Sequence, residues 1–237
     1  MEVNCKPLQD ILGFLKVMGA DSATIVPSSN GWEFYSRDTT GCMMVSALLK
    51  KEAFPSGYDE WEPFAAELEF MRDNIAKRDK VDMLAEDGFL KINYGKSKCK
   101  RRLINLDETP RIIPKVKMED SVAVLSDKLI ELAGNKYMAN NGSNTGLQVD
   151  IGEEEITFSY ESELDAYSET YDVLMANLPN DAQKSHYATQ YIIPTFKALP
   201  KGIPVVIEMD DNKPIKLTLQ TETYLINIFI APLITED

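Results

Sequence analysis

Two prolines four residues apart interrupt the middle of this 237-residue chain, in Leu106-Asp107-Glu108-Thr109-Pro110-Arg111-Ile112-Ile113-Pro114. Proline fixes φ, removes a backbone donor and biases the residue before it towards extended geometry. The stretch therefore runs extended over a surface rather than inside a sheet, and we read it as a connector between two half-chains. Its Ile112-Ile113 pair is unusual for a solvated linker. The pair either tucks onto a neighbouring sheet or belongs to a docking surface.

On either side of the connector the same order of elements is expected. In the first half, residues 7–18 place Leu8, Ile11, Leu12, Leu15 and Met18 at helical spacing. Short strands follow at 23–26, 32–36 and 42–49, split by Ser28-Ser29-Asn30-Gly31 and Thr39-Thr40-Gly41. Residues 64–78 start extended and turn helical on Leu68, Met71 and Ile75, and strands at 80–85, 89–94 and 98–106 close the half. Beyond the connector, 114–118 reads as a strand, and Val122, Leu125, Leu129 and Leu132 as a helix that Gly134-Asn135 caps. Strands are expected at 137–140, 147–151, 155–163 and 169–174. A helix over 182–199 is capped by Asn180-Asp181 and kinked or broken at Pro194. Strands at 205–209, 214–219 and 224–231 finish the chain, with Asp210-Asp211-Asn212 as a tight turn. The halves repeat in pattern, not in identity. Two helices and a mainly antiparallel sheet in each make an α+β architecture. The expected domains are 1–106 and 118–237, with 107–117 between them.

Hydrophobic content of 44% and charged content of 27% describe an ordinary soluble globular protein, with no run long enough to span a bilayer. Cys5, Cys42 and Cys99 are odd in number and far apart, which speaks against a disulfide framework or zinc site and for a reducing intracellular compartment. A net charge of −13 argues, as an average, against nucleic acid. A basic lining inside an acidic body would satisfy both facts. The distribution decides, and it contains two opposed runs: Lys96–Arg102 is densely basic and Glu153–Glu163 densely acidic. Each reads as a solvated face or an interface, and the basic run also as a nucleic-acid patch.

No catalytic or metal site emerges. His186, the only histidine, would have to carry any acid/base dyad alone, and a surface or cap role suits it better. Phosphate-binding and dinucleotide fingerprints are missing. Gly142-Ser143-Asn144-Thr145-Gly146 reads as a turn, and Asp210-Asp211-Asn212 as a hairpin turn before a cation site.

Several strings, in order over essentially the whole chain, resemble the DNA sliding clamps of the proliferating cell nuclear antigen (PCNA) family, archaeal members especially. Ile230-Ala231-Pro232 before an acidic tail is similar to that family's C-terminal strand end. Arg37-Asp38-Thr39-Thr40 with Cys42–Leu49 resembles its Met-Asp-x-Ser loop and following strand, and 106–114 its interdomain connector. Lys184-Ser185-x-Tyr187 resembles the opening of the last inner helix in archaeal members.

The resemblance implies two similar clamp domains per subunit and a head-to-tail trimeric ring around duplex DNA, with helices lining the hole and antiparallel sheets outside. The function implied is a non-enzymatic processivity factor without cofactor or metal. It would tether DNA polymerase, clamp loader, flap endonuclease and ligase through short peptides, away from any membrane. The compartment would be the cytoplasm or nucleoid of an archaeal or viral host, or a eukaryotic nucleus. Carried over residue by residue, the peptide pocket uses Cys42, Met44, Ile113, Pro114, Pro214, Phe229, Ala231 and Pro232. The same residues read alone are core and strand-end packing. DNA-facing cations would be Lys16, Arg72, Lys77, Arg78, Lys128, Lys197 and Lys201. Asp10, Asp127 and Glu131 make this lining less basic than is usual. Arg111 also departs from the usual apolar connector residue. The subunit seam would join Lys98, Lys100, Arg101 and Arg102 to Glu155, Thr157, Ser159 and Glu161 of a neighbour, basic edge to acidic edge. Other readings within the fold are a checkpoint-type subunit of a heterotrimer and a scaffold that does not encircle DNA. An unrelated hydrolase is a more distant alternative.

Overall fold

The computed structural model describes residues 1–106, 116–135, 146–161, 165–179 and 183–233. These form two compact units. One takes the residues up to 106 together with Gln220–Ile226, and the other takes the described residues of 116–219 with those from 227 onward.

In the first unit, β1 (Glu2–Asn4) passes straight into α1 (Cys5–Val17). The apolar spacing buries Leu8, Ile11, Leu12 and Leu15. Pro7 lies in the first turn, where its missing donor costs nothing. The helix stops at Gly19, whose φ of 75° suits a residue without Cβ. The Gly19 amide donates to the Lys16 carbonyl at 2.9 Å and the Ala20 amide to that of Leu15 at 3.1 Å, the paired bonds of a Schellman end. β2 (Ser22–Ser28), β3 (Gly31–Arg37) and β4 (Met43–Lys50) form an antiparallel meander, and β5 (Phe64–Glu67) adds to the other side of β2. α2 (Leu68–Ile75) buries Leu68, Met71 and Ile75 and packs beside α1. β6 (Lys80–Glu86), β7 (Phe89–Tyr94) and β8 (Ser97–Arg102) complete a second sheet in the order β1-β6-β7-β8. The segment 220–226 belongs to this unit through the Lys50 amide, which donates to the Thr223 carbonyl at 2.9 Å.

The second unit repeats this plan. β9 (Asp120–Leu125) leads into α3 (Ser126–Gly134). Then come β10 (Gly146–Ile151), β11 (Glu155–Glu161), β12 (Ala166–Asp172), β13 (Met175–Asn177) and β14 (Gln183–Ala188). α4 (Thr189–Lys197) precedes β15 (Pro204–Met209), β16 (Ile215–Gln220) and β17 (Tyr224–Ile230). One sheet runs β12-β11-β10-β14 and another includes β13-β9-β15-β16. In both units the opening strand pairs with the strand after the second helix, β1 with β6 and β9 with β15. The strand before the second helix pairs with the one after the first, β5 with β2 and β14 with β10. The α+β class expected from the sequence is the one observed.

Three expectations are corrected. Residues 120–125 are strand, not the start of a helix: Asp120, Val122 and Val124 are buried in alternation, and Val124 sits opposite Val205. Val122 begins both a three-residue spacing, to Leu125, and a two-residue one, to Val124, and pairing with β15 decides. The Gln183–Ala188 stretch is also strand, so the last helix begins at Thr189 and Pro194 falls inside it without ending it. β12 begins at Ala166, three residues before the expected 169, and β8 ends at Arg102, short of 106. The expected strands at 114–118 and 137–140 fall wholly or mostly outside the described residues.

Candidate nucleic-acid and partner interfaces

The cations expected to face DNA lie on the helices or in the turns that follow them, and all but Arg78 are exposed. On the first unit, Lys16 ends α1 and Arg72 lies in the last turn of α2. Gln9, Gly13, Glu69, Arg72, Asp73 and Lys77 line a shallow groove of about 320 Å³ on this helical surface. Lys77 has φ 58°, a left-handed conformation for a residue with a side chain. Arg78 is held close. Its guanidinium lies 3.6 Å from the Tyr94 ring centroid and donates to the Ala76 carbonyl at 2.8 Å. On the second unit, Lys128 sits 3.8 Å from the Glu131 carboxylate, and Lys197 and Lys201 are exposed at the end of α4.

Two of the acids that dilute this lining are engaged elsewhere. Asp127 accepts the Gly202 amide at 2.7 Å. Asp10 accepts from Lys6 at 2.6 Å, and burial outweighs that ion pair to push its carboxyl above the ordinary range. Glu131 keeps an exposed carboxylate, paired with Lys128.

The sheet margins differ from expectation in one respect. β8, carrying Lys98, Lys100, Arg101 and Arg102, is an outer strand as read from the sequence, with nearly all its residues exposed. β11 is not: Glu155, Thr157, Ser159 and Glu161 lie on a strand paired with β10 on one side and β12 on the other. Its backbone groups are satisfied, so it offers no edge. The outer strand is β12, flanked by Asp165 and containing Glu169 and Asp172, acids without an intervening base. The run of acid pointed to β11, which strand pairing makes internal to its sheet. Glu153-Glu154-Glu155 is denser, whereas the acids of Ala166–Asp172 are spread along the strand.

The expected peptide-pocket residues lie in both units. Cys42 and Met44 stand at the start of β4, half-buried and buried, after a loop organised by Asp38. The Asp38 carboxylate accepts the Met43 amide at 2.8 Å and the Thr40 hydroxyl. In the second unit Phe229 is buried at the end of β17, and Pro214, Ala231 and Pro232 are half-buried. Pro232 bridges to Tyr187, and the Leu233 amide donates to the His186 carbonyl at 2.7 Å. Ile113 and Pro114 lie outside the described residues.

The Lys184-Ser185-x-Tyr187 string does not open a helix. It lies on β14, where it fastens the 210–213 turn. Ser185 Oγ donates to the Asp210 carbonyl at 3.2 Å and accepts the Asn212 amide at 2.9 Å, while the Tyr187 hydroxyl donates to the Lys213 carbonyl at 3.0 Å. Asn212 has φ 54°, as a tight turn requires, and Lys213 neutralises Asp210 at 2.5 Å. Among the described residues no group of three or more His, Cys, Asp or Glu converges on a metal position. No helix among them is long and apolar enough to cross a membrane.

The sequence matches no family model, and no curated protein matches it. Solved structures do match. The A. fulgidus PCNA bound to the C-terminal region of FEN-1 shares 16% identity and a TM-score of 0.87, over 100% of this chain and 99% of that one. PCNA from Thermococcus kodakaraensis gives 18% identity and 0.84 over 98% and 99%. The PCNA2–PCNA3 complex from Sulfolobus tokodaii gives 16% and 0.82 over 98% and 99%. At such identities the likeness is one of fold, and the fold of this chain, end to end, is that of the PCNA sliding clamps.

Proposed function

We propose that the chain is a subunit of a sliding clamp, a non-enzymatic ring of three copies that encircles duplex DNA without reading its sequence. It would tether polymerase, flap endonuclease and ligase, and an ATP-dependent loader would open it. The observation that carries this reading is the full-length match in fold to PCNA at a TM-score of 0.87. The A. fulgidus structure holds the C-terminal region of FEN-1, which supports short peptides as the mode of docking here. Cys42, Met44, Ile113, Pro114, Pro214, Phe229, Ala231 and Pro232 would form the pocket. Arg111 would favour peptides with an acid near their anchor. The protein works inside the cell, wherever the DNA is.

The repeated topology supports the ring. By position in the plan, β12 is the counterpart of β4, and β17 of β8. In the first unit Lys50, at the end of β4, bonds to Thr223, just ahead of β17. Among the described residues their counterparts β12 and β8 have no strand on the outer side. One is acidic and the other basic, so a head-to-tail pairing between copies satisfies both and suppresses like-with-like contacts. The seam therefore joins Lys98, Lys100, Arg101 and Arg102 to β12 in place of β11.

The S. tokodaii PCNA2–PCNA3 complex favours a second reading, a ring built from different chains. Light scattering separates the two: a self-sufficient clamp weighs close to three times the 26.7 kDa of one chain. Retention on nicked circular DNA, lost when the circle is cut, tests encirclement. Equal retention on both would leave only a scaffold of the same fold.

A further inference from the structure

The inner margin of β12 carries a polar cluster that is incomplete within one chain. Tyr167, Glu169 and Tyr171 lie opposite Tyr160, Phe158 and Ile156 of β11, all buried, so they share the face turned to the core. Asn135, just past the end of α3, donates from Nδ2 to the Tyr167 hydroxyl at 2.7 Å, and that hydroxyl donates to Glu169. Lys128 lies 5.7 Å from the Tyr171 ring centroid and 3.8 Å from Glu131. Glu131 and Glu169 both press their charge on Tyr167 and Tyr171. The Tyr171 hydroxyl is buried and interacts with the same Glu169 carboxylate. A carboxylate that gathers two tyrosine hydroxyls at an open strand edge calls for a cationic donor.

The basic edge supplies one, and strand parity selects it. Arg101 lies opposite Leu90 and Cys99 opposite Ile92, and both Leu90 and Ile92 are fully buried. Of the four cations on β8, only Arg101 therefore sits on the core-side layer. Lys98, Lys100 and Arg102 point to the other face. Arg101 is also pre-oriented: its Nε lies 2.8 Å from Glu67, and its guanidinium 5.6 Å from the Phe70 ring centroid. With Nε engaged, the two terminal nitrogens remain for a forked bond to a second carboxylate.

We propose that Arg101 of one copy completes the Tyr167–Glu169–Tyr171 cluster of the next, bridging its own Glu67 to the neighbour's Glu169. The contact rests on the ring reading above and specifies which cation locks the seam. The remaining basic residues of β8 then steer encounter more than they hold the joint.

The test is the concentration dependence of the mass, by sedimentation, for Arg101→Ala, Glu169→Gln, the two combined, and Arg102→Ala. Thermal melts of each variant report whether the fold is intact. Arg101→Ala and Glu169→Gln should each raise the half-dissociation concentration about tenfold or more, and the pair together should do no worse than the stronger single. Arg102→Ala should shift it less than about threefold. Arg101→Lys, which keeps the charge but not the fork, should fall between wild type and Arg101→Ala. If Arg102→Ala matches Arg101→Ala, or Glu169→Gln matches wild type, this contact is wrong while the ring stands. A wild-type chain that stays monomeric at every concentration overturns the ring as well.

Discussion

Asp127 accepts the backbone amide of Gly202 at 2.7 Å, 75 residues away in sequence. The bond fastens the turn after α4 to the first turn of α3. There the carboxylate also complements the helix N-terminus. Gly202 adopts φ 75°, which presents its amide to the carboxylate at no steric cost. Asp127→Ala should therefore destabilise the protein by about 1 kcal/mol, read as a lower urea midpoint at unchanged slope. Asp127→Asn retains an acceptor and should recover most of the loss. An unshifted midpoint for Asp127→Ala would mean that the bond contributes nothing.

Lys77 separates a structural role from an electrostatic one. Its φ of 58° follows directly on the end of α2, where glycine would be unstrained. Lys77→Gly should raise stability by about 0.5–1 kcal/mol while weakening association with duplex DNA. Lys77→Ala keeps the strain and loses the charge, so it should weaken DNA association without any gain in the thermal midpoint. A gain in stability with unchanged DNA binding would remove Lys77 from the DNA-facing set.

These arguments draw on features of unequal visibility. The first half of the chain was legible because its signals agree: Leu8, Ile11, Leu12 and Leu15 fit only a helix, and Gly19 ends it. In the second half the local signals conflict. Val122-Ala123-Val124-Leu125 admits two periods, and Lys184-Ser185-His186-Tyr187 carries no β-branched residue, so only pairing with β15 and β10 makes them strands. The same limit hid the acidic margin. Charge density pointed to β11, but whether a strand is an edge depends on its neighbours, and β12 takes that place because Thr157, Ser159 and Glu161 face Thr170, Ser168 and Ala166. Asp127 and Asp10 read as diluting the helical cations because sequence shows their charge and not the amide or ammonium that each engages.

Acid should loosen the loop ahead of β4 early. Burial alone would raise the Asp38 carboxyl, but hydrogen bonds from Thr40 and from the amides of Met43, Thr40 and Gly41 outweigh it and hold the group below its ordinary value. A carboxyl depressed in the folded state stabilises above its unfolded pKa of about 3.9, and that contribution fades as pH falls through the folded value. The stability difference between wild type and Asp38→Asn should thus be largest near neutrality and shrink below about pH 4. A difference that does not change with pH would show that Asp38 acts through packing alone.

The helical cations should act on DNA through phosphate and not through bases. Each phosphate neutralised contributes about 0.9 to the slope of log affinity against log salt concentration, whatever the sequence. Arg72→Ala and Lys197→Ala remove exposed cations from α2 and α4. Each should lower the slope by about that amount for every phosphate its residue contacts, equally on A·T-rich and G·C-rich duplexes. Lys213→Ala removes a cation already held 2.5 Å from Asp210, off the helical faces, and should leave the slope unchanged. Should Lys213→Ala alter the slope as much as Arg72→Ala, the duplex would be reading total charge, and the helices would lose their claim to face it.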